Sequence, residues 1–124
     1  MSEGKTRYRV GIIGTGRIAS TIQDEIVESP FSFLLPYSHA GAYQEHPRME
    51  IVAGADSNAE RLAAFGERWQ VPHLYADYRQ MLADGELDIV SVCVPTRAHA
   101  EMMQAVAASS VRGVFMEKPI CRTL

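Results

Sequence analysis

The chain lacks the features that place a protein in a membrane, on a nucleic acid or in a disulfide-rich secreted class. Its 124 residues include only two cysteines, Cys93 inside an apolar run and Cys121 near the end, too few for a disulfide framework. There is no cluster of lysine and arginine, and the net charge is -3, so the basic surface typical of nucleic-acid binding is missing. No apolar run approaches the roughly 20 residues that cross a bilayer.

The first nine residues are polar and charged, and they do not resemble a signal peptide. Together with the small number of cysteines, this predicts a cytoplasmic protein without nucleic-acid or membrane partners. Hydrophobic residues make up 47% of the chain and charged residues 22%, which is the balance of a globular protein, and the length suits one domain.

Short apolar runs alternate along the chain with segments of helical periodicity. The runs predict strands near residues 9–13, 49–55, 71–75, 87–94 and 114–116, and the periodic segments predict helices over 17–28, 58–69, 78–83 and 99–108. Because the strands are apolar throughout, the pattern indicates an α/β fold with a doubly wound parallel sheet covered by helices on both faces, in three layers. Residues 31–43 fit neither period, and we interpret residues 29–38 as an insertion in the first crossover.

The first strand runs into the first helix through a glycine-rich turn, GTGRIA at residues 14–19. Gly14 permits a sharp turn out of the strand, and Gly16 has no side chain to keep a diphosphate away from the backbone. The amides around Arg17 and Ile18, at the helix start, would point at that anion. The position between strand and helix predicts a dinucleotide-binding turn, and the alternative is a tight turn without a ligand.

A carboxylate is expected at the end of the second strand, where it would hold the ribose hydroxyls of the adenosine. Asp56 has that position, although it lies 40 residues after Gly16, whereas the usual spacing is about 20. The insertion accounts for the difference. Asp56 would repel a 2′-phosphate, and no arginine follows at positions 57 and 58, so the sequence favours NAD over NADP. Asp56 capping the next helix is an alternative role that can coexist with the first.

Five segments of the chain resemble the Gfo/Idh/MocA family of oxidoreductases. The segments are VGIIGTGRIA (10–19), IVAGADSNAERLAAF (51–65), VPHLYADYRQML (71–82), VSVCVPTRAHAEM (90–102) and VFMEKPI (114–120). The resemblance implies a Rossmann domain that binds a nicotinamide cofactor, NAD before NADP. It also implies hydride transfer to or from a hydroxyl or carbonyl carbon of a sugar, polyol or related small molecule.

The last segment matches the family's E-K-P signature, which implies that Lys118 is catalytic and lies beside the nicotinamide and the substrate hydroxyl. The match after the fourth strand departs from the family at Thr96, where asparagine is commoner, and a packing role for His99 stays open. We interpret His39 as structural, and the spacing of the histidines indicates no metal site. The expected cofactor contacts are Gly14, Thr15, Gly16, Arg17, Ile18, Asp56, Pro95, Thr96, His99, Glu117, Lys118 and Pro119.

The resemblance further implies a longer protein, since family members carry a C-terminal substrate domain that these residues do not include. We therefore expect residues 1–124 to be a truncated first domain that binds cofactor but turns over no sugar alone, and the full-length protein to form a homo-oligomer. Two alternatives remain: a non-redox nucleotide-binding sensor or regulator, and a family branch that uses NAD to cleave glycosides.

Overall fold

The computed structural model describes residues 7–16, 19, 38–84, 86–94 and 98–116. Five strands are present in these ranges: β1 (Tyr8–Ile13), β2 (Met49–Ala55), β3 (His73–Tyr75), β4 (Ile89–Val92) and β5 (Gly113–Met116). The helices are α1 (His39–Glu45), α2 (Ala59–Trp69), α3 (Tyr78–Asp84) and α4 (His99–Ala107). Within the described ranges, every helix is too short or too polar to pass through a bilayer.

The five strands form one parallel sheet in the order β3-β2-β1-β4-β5. The predicted doubly wound α/β fold is therefore confirmed. The chain moves outward from β1 to β3 on one side and then returns to the centre to build β4 and β5 on the other. In a sheet of this order, ligands bind at the carboxyl ends of the strands where the direction of winding reverses, which is between β1 and β4.

Each face of the sheet packs its own apolar core. One core joins β-strand residues to α3 and α4, and its buried members include Ile13, Val52, Met81, Val90, Val92 and Val106. The other joins the sheet to α1 and α2, and its buried members include Val10, Ile12, Ala19, Ala40 and Phe65. Alternate residues of β1 point into opposite cores, as the pleat of a strand requires. This gives the predicted three layers.

Local sequence explains why α2 begins and ends where it does. The Asn58 side chain accepts a hydrogen bond from the amide of Arg61 and so caps the first turn. Leu62 and Phe65 are buried one turn apart on the face toward the sheet. Gln70 adopts the left-handed conformation, with φ of 56°, and ends the helix.

One helix was not expected from the sequence. Residues 31–43 fit neither period, yet residues 39–45 form α1, capped by the Ser38 hydroxyl, which accepts a hydrogen bond from the amide of Gly41. The sequence pattern did not predict this helix, because polar contacts hold part of the buried face of α1 and hydrophobic periodicity does not detect them. The predicted helix 17–28, apart from the buried Ala19, and residues 29–37 of the predicted insertion lie outside the described residues.

The polar contacts of α1 converge on a serine in the middle of β4. Ser91 is fully buried, and its hydroxyl lies 2.6 Å from the hydroxyl of Tyr43 and 3.0 Å from Nδ1 of His39. Burial raises the pKa of Tyr43, and the hydrogen bond to Ser91 partly opposes this. The His39 ring also meets the Phe115 ring edge-on, with 4.9 Å between the ring centroids. These contacts agree with a structural role for His39.

The outer strand β5 departs from the expectation that both faces of the sheet are covered. Val114 is 40% exposed and Phe115 is 57% exposed, whereas the central strands are buried. The apolar run predicted the strand correctly but not its exposure, because exposure depends on the place of β5 at the edge of the described sheet.

The amino ends of three strands are joined by one residue, Asp88, through its side chain and its backbone. Asp88 precedes β4, and its side chain accepts a hydrogen bond of 2.8 Å from the amide of Arg9 in β1. The Asp88 backbone amide donates to the Arg9 carbonyl, and its carbonyl accepts from the amides of Arg112 and Gly113 at the start of β5. Asp88 therefore connects β1, β4 and β5 at the edge opposite to the expected ligand site.

We predict that Ser91→Ala lowers the free energy of unfolding by about 1–3 kcal/mol, because two buried polar groups lose a shared partner. Tyr43→Phe removes only one of the two contacts and should cost about 1 kcal/mol. Urea denaturation of both variants and the wild type measures these changes. A Ser91→Ala variant as stable as the wild type would show that the cluster does not stabilise α1.

Candidate functional site

A cavity of about 620 Å³ lies at the carboxyl ends of the strands. Residues that follow four different strands line it: Gly14 after β1, Asp56 after β2, Asp77 after β3 and Val94 after β4. The cavity therefore occupies the edge where a doubly wound sheet binds its ligands, and its volume is in the range of small-molecule sites.

The turn after β1 requires glycine at its first position. Gly14 has a φ of 87°, and a Cβ there would lie 2.5 Å from the carbonyl oxygen of Cys93, the residue that follows β4. Residues that carry a side chain rarely adopt this backbone conformation, and the carbonyl of Cys93 leaves no room for a Cβ. At Gly16, by contrast, a Cβ would contact, among the described residues, only the Arg61 side chain, at 3.7 Å and 3.8 Å. The backbone of Gly16 therefore lines the cavity without a side chain in front of it.

Thr15, between these glycines, does not line the cavity. It is 2% exposed, and both its amide and its hydroxyl donate hydrogen bonds of 2.9 Å to Oδ2 of Asp56. In this structure Thr15 therefore positions the carboxylate, and its amide is not directed at an anion in the cavity.

The Asp56 carboxylate receives five hydrogen bonds from residues that the structure describes. Oδ2 accepts from the amide and hydroxyl of Thr15 and from Nε of Arg61. Oδ1 accepts from the amide of Asn58 and from Nη2 of Arg61, both at 2.9 Å. Burial disfavours the charged form, but the bonds from Arg61, Asn58 and Thr15 outweigh it and hold the pKa of Asp56 well below its usual value. The carboxylate is therefore ionised throughout the physiological range.

The same residue connects the exits of three strands. The backbone amide of Asp56, at the end of β2, donates to the carbonyl of Tyr75 at the end of β3, and its side chain holds Thr15 after β1. Asn58, and not Asp56, caps α2, although Asp56 accepts from the Asn58 amide. A buried carboxylate beside a glycine turn and a cavity of this size fits the ribose of a dinucleotide.

Arg61 is a site residue that sequence reasoning missed. It lies in the first turn of α2, lines the cavity, and forms a bidentate pair with Asp56 that raises the pKa of the guanidinium. The side chain of Arg61 is 50% exposed and that of Asp56 is 3% exposed. No arginine occupies position 57 or 58, so the sequence prediction placed none at this carboxylate. Arg61, five residues after Asp56, reaches the carboxylate because α2 begins at residue 59. The cap at Asn58 was the signal that could have located it.

A second group of missed residues follows β3. Asp77, Tyr78 and Arg79 line the cavity, and the Arg79 guanidinium lies over the Tyr78 ring, 4.7 Å from its centroid. Arg79 also pairs with Asp77 and with Glu101 of α4. The Tyr78 hydroxyl is buried and has no hydrogen-bond partner among the described residues, and burial raises the pKa of Tyr78 while Arg79 opposes the shift. The carboxyl-end rule predicts ligand contacts at this exit as well.

His99 begins α4 and is 1% exposed. Its Nε2 lies 2.6 Å from the carbonyl oxygen of Val94, which can only accept, so Nε2 carries the proton. The imidazole thus ties the start of α4 to the exit of β4, and it does not line the cavity. This geometry corresponds to the packing alternative for His99.

The remaining predicted contacts lie outside the described residues, namely Arg17, Ile18, Pro95, Thr96, Glu117, Lys118 and Pro119. Their roles stay predictions. In the parts of the chain that the structure describes, no three histidine, cysteine or acidic residues are grouped so as to hold a metal ion.

Comparison with known proteins agrees with this geometry. The profile of the oxidoreductase family GFO_IDH_MocA, described as an NAD-binding Rossmann fold, matches residues 8–124. D-glucoside 3-dehydrogenase of Escherichia coli is 31% identical over 93% of the chain. Myo-inositol 2-dehydrogenase of Thermotoga maritima is 28% identical over 94% of it. The WlbA dehydrogenase of Chromobacterium violaceum, solved with NADH and UDP-GlcNAcA, superposes on 95% of the chain with a TM-score of 0.76 and 25% identity.

The chain is short beside these proteins. It covers 28% of the E. coli enzyme and 29% of each of the other two. The comparisons therefore concern the nucleotide-binding part of such proteins.

We predict that Asp56→Asn lowers the free energy of unfolding by about 1–3 kcal/mol at neutral pH, because the charge-assisted hydrogen bonds are weakened. The pKa of Asp56 is depressed in the folded state, so its stabilisation is complete above the unfolded value of about 4 and is lost as the pH falls below it. Urea denaturation between pH 7 and pH 2 should therefore show the two proteins converging only in acid. A difference independent of pH would contradict this origin.

Proposed function

The chain belongs to the Gfo/Idh/MocA oxidoreductases as their NAD-binding Rossmann domain, and from this premise we propose that it presents a nicotinamide dinucleotide for hydride transfer. The substrate class that we propose is a sugar, a polyol or a related hydroxyl or carbonyl compound. When bound, the nicotinamide ring accepts a hydride from such a carbon or returns one to it.

The proposal rests on one observation: the glycine turn and the Asp56 carboxylate line the same cavity. Gly14 and Gly16 bring the backbone to the cavity without side chains, and Asp56 stands at the neighbouring strand exit. We propose that the backbone around Gly16 accommodates the diphosphate and that Asp56 orients the adenosine ribose. The domain's task is then to hold the cofactor in one orientation, with its redox end toward the substrate.

We propose NAD as the preferred cofactor. Asp56 is ionised, and a carboxylate accepts hydrogen bonds from the two ribose hydroxyls of NAD. A 2′-phosphate in the same place would meet a negative charge at short range. The buried position of the carboxylate supports the preference, since charges screened from water interact more strongly.

The substrate class rests on the names of the relatives, which include glucoside, inositol and apiose dehydrogenases. Lys118 remains our proposed catalytic residue on the E-K-P match alone. We also propose a cytoplasmic setting and a homo-oligomeric full-length protein. Residues 1–124 are expected to bind cofactor without turning over a sugar.

We predict that Gly16→Ala weakens NADH binding by about tenfold or more, which corresponds to about 1.4 kcal/mol, because a methyl group enters the space for the diphosphate. Within the part of the chain that the structure describes, its Cβ meets only the Arg61 side chain, at ordinary contact distance, so the melting temperature should stay near that of the wild type. Fluorescence titration with NADH measures the affinity.

Gly113→Ala is the matched control, because its Cβ would contact Ile89 at 3.7 Å at the opposite edge of the sheet. This variant should bind NADH like the wild type. If the wild type itself bound no NADH at millimolar concentration, the proposed function would be refuted. If Gly16→Ala bound as tightly as the wild type, the diphosphate would lie elsewhere.

A further inference from the structure

The acidic residue at the ribose position is paired with an arginine that the sequence spacing did not reveal. A carboxylate offers about four acceptor positions. The five hydrogen bonds to Asp56 therefore occupy all of them, and two of these bonds come from Arg61. A ribose hydroxyl that donates to Asp56 must displace one of the five donors. One of the two Arg61 bonds is the candidate for displacement, because the Arg61 side chain is half exposed while Thr15 is buried, and the other bond keeps the guanidinium at the carboxylate.

The pair also changes the charge that a ligand meets. A bidentate guanidinium at 2.9 Å compensates the negative charge of Asp56 locally. The repulsion of a 2′-phosphate, which underlies the preference for NAD, is weaker against a paired carboxylate than against an isolated one.

Arg61 lies beside both the glycine turn and the Asp56 carboxylate. Its side chain runs beside the phosphate turn, since a Cβ on Gly16 would be 3.7 Å from Cδ of Arg61, and it lines the cavity together with Ser57. If Asp56 binds the ribose, the Arg61 guanidinium lies next to that ribose, because it contacts the same carboxylate. A guanidinium has five N–H donors in a fixed fork, and Asp56 contacts two of its three nitrogens, so the outer edge retains donors that suit a phosphate.

We propose that Arg61 is the residue that sets cofactor discrimination and makes the site accept NADP(H) nearly as well as NAD(H). It does so by compensating the Asp56 charge and by donating to the 2′-phosphate from its outer edge. This inference rests on the proposed function and deepens it. The site still binds NAD more tightly than NADP, but the difference between the two affinities is small. The sequence alone favoured NAD over NADP, because Asp56 would repel a 2′-phosphate and no arginine follows at positions 57 and 58.

The test is the ratio of the NADPH and NADH dissociation constants, measured by fluorescence titration at low and high salt. In the wild type the two constants should lie within about tenfold of each other. Arg61→Gln should weaken NADPH binding by about tenfold or more beyond any change for NADH, since one charged phosphate contact is lost. The NADPH affinity of the wild type should fall more steeply with salt than that of Arg61→Gln.

Two further variants complete the experiment. Arg68→Gln removes an arginine from the same helix, outside the residues that line the cavity, and should leave the ratio unchanged. Arg61→Lys keeps the charge without the fork and should give an intermediate ratio, which also covers the case in which Arg61→Gln does not fold.

A wild-type ratio above about a hundredfold in favour of NADH overturns the inference without any variant. An Arg61→Gln variant that weakens both cofactors equally also overturns it, because Arg61 would then only support the site. In both cases NADH binding by the wild type leaves the proposed function intact, whereas failure to bind either cofactor counts against the proposed function itself.

Discussion

The hydrogen bonds of the Asp56 carboxylate hold together the edge of the sheet on which the candidate site is built. Through them the turn after β1, the exit of β2 and the first turn of α2 have fixed relative positions. The backbone of the same residue adds the exit of β3. The low pKa follows from the same contacts, because each donor stabilises the charged form against the cost of burial. Geometry and charge at this edge therefore have one origin.

Much of the architecture could be predicted because it depends on local patterns. Apolar runs separated by helical segments suffice for a parallel sheet with helices on both faces, and Asp56 was located by its position after a strand. Helix α1 could not be predicted in this way, because its inner face is formed partly by His39 and Tyr43, which bond to a serine from a distant strand. A hydrophobic pattern does not reveal a helix face whose contacts are hydrogen bonds.

The roles of individual site residues were harder to predict than their location. Thr15 and His99 lie at the predicted strand exits, but neither lines the cavity. Thr15 donates to the Asp56 carboxylate, and His99 donates to the carbonyl of Val94. A motif specifies which residues gather at an edge, but the direction of each donor depends on partners brought together by the fold. Arg61 is the opposite case, a residue that lines the cavity although the motif did not indicate it. Its contact with Asp56 depends on where the helix cap places the first turn of α2.

The two edges of the sheet are fastened by different acidic residues, and this separation has an evolutionary consequence. Asp88 links β1, β4 and β5 at their amino ends, on the side away from the cavity. The Asp88 contacts at these amino ends involve no residue that lines the cavity. A lineage carrying this domain can therefore replace residues around the cavity while the anchor at the amino ends of β1, β4 and β5 stays in place.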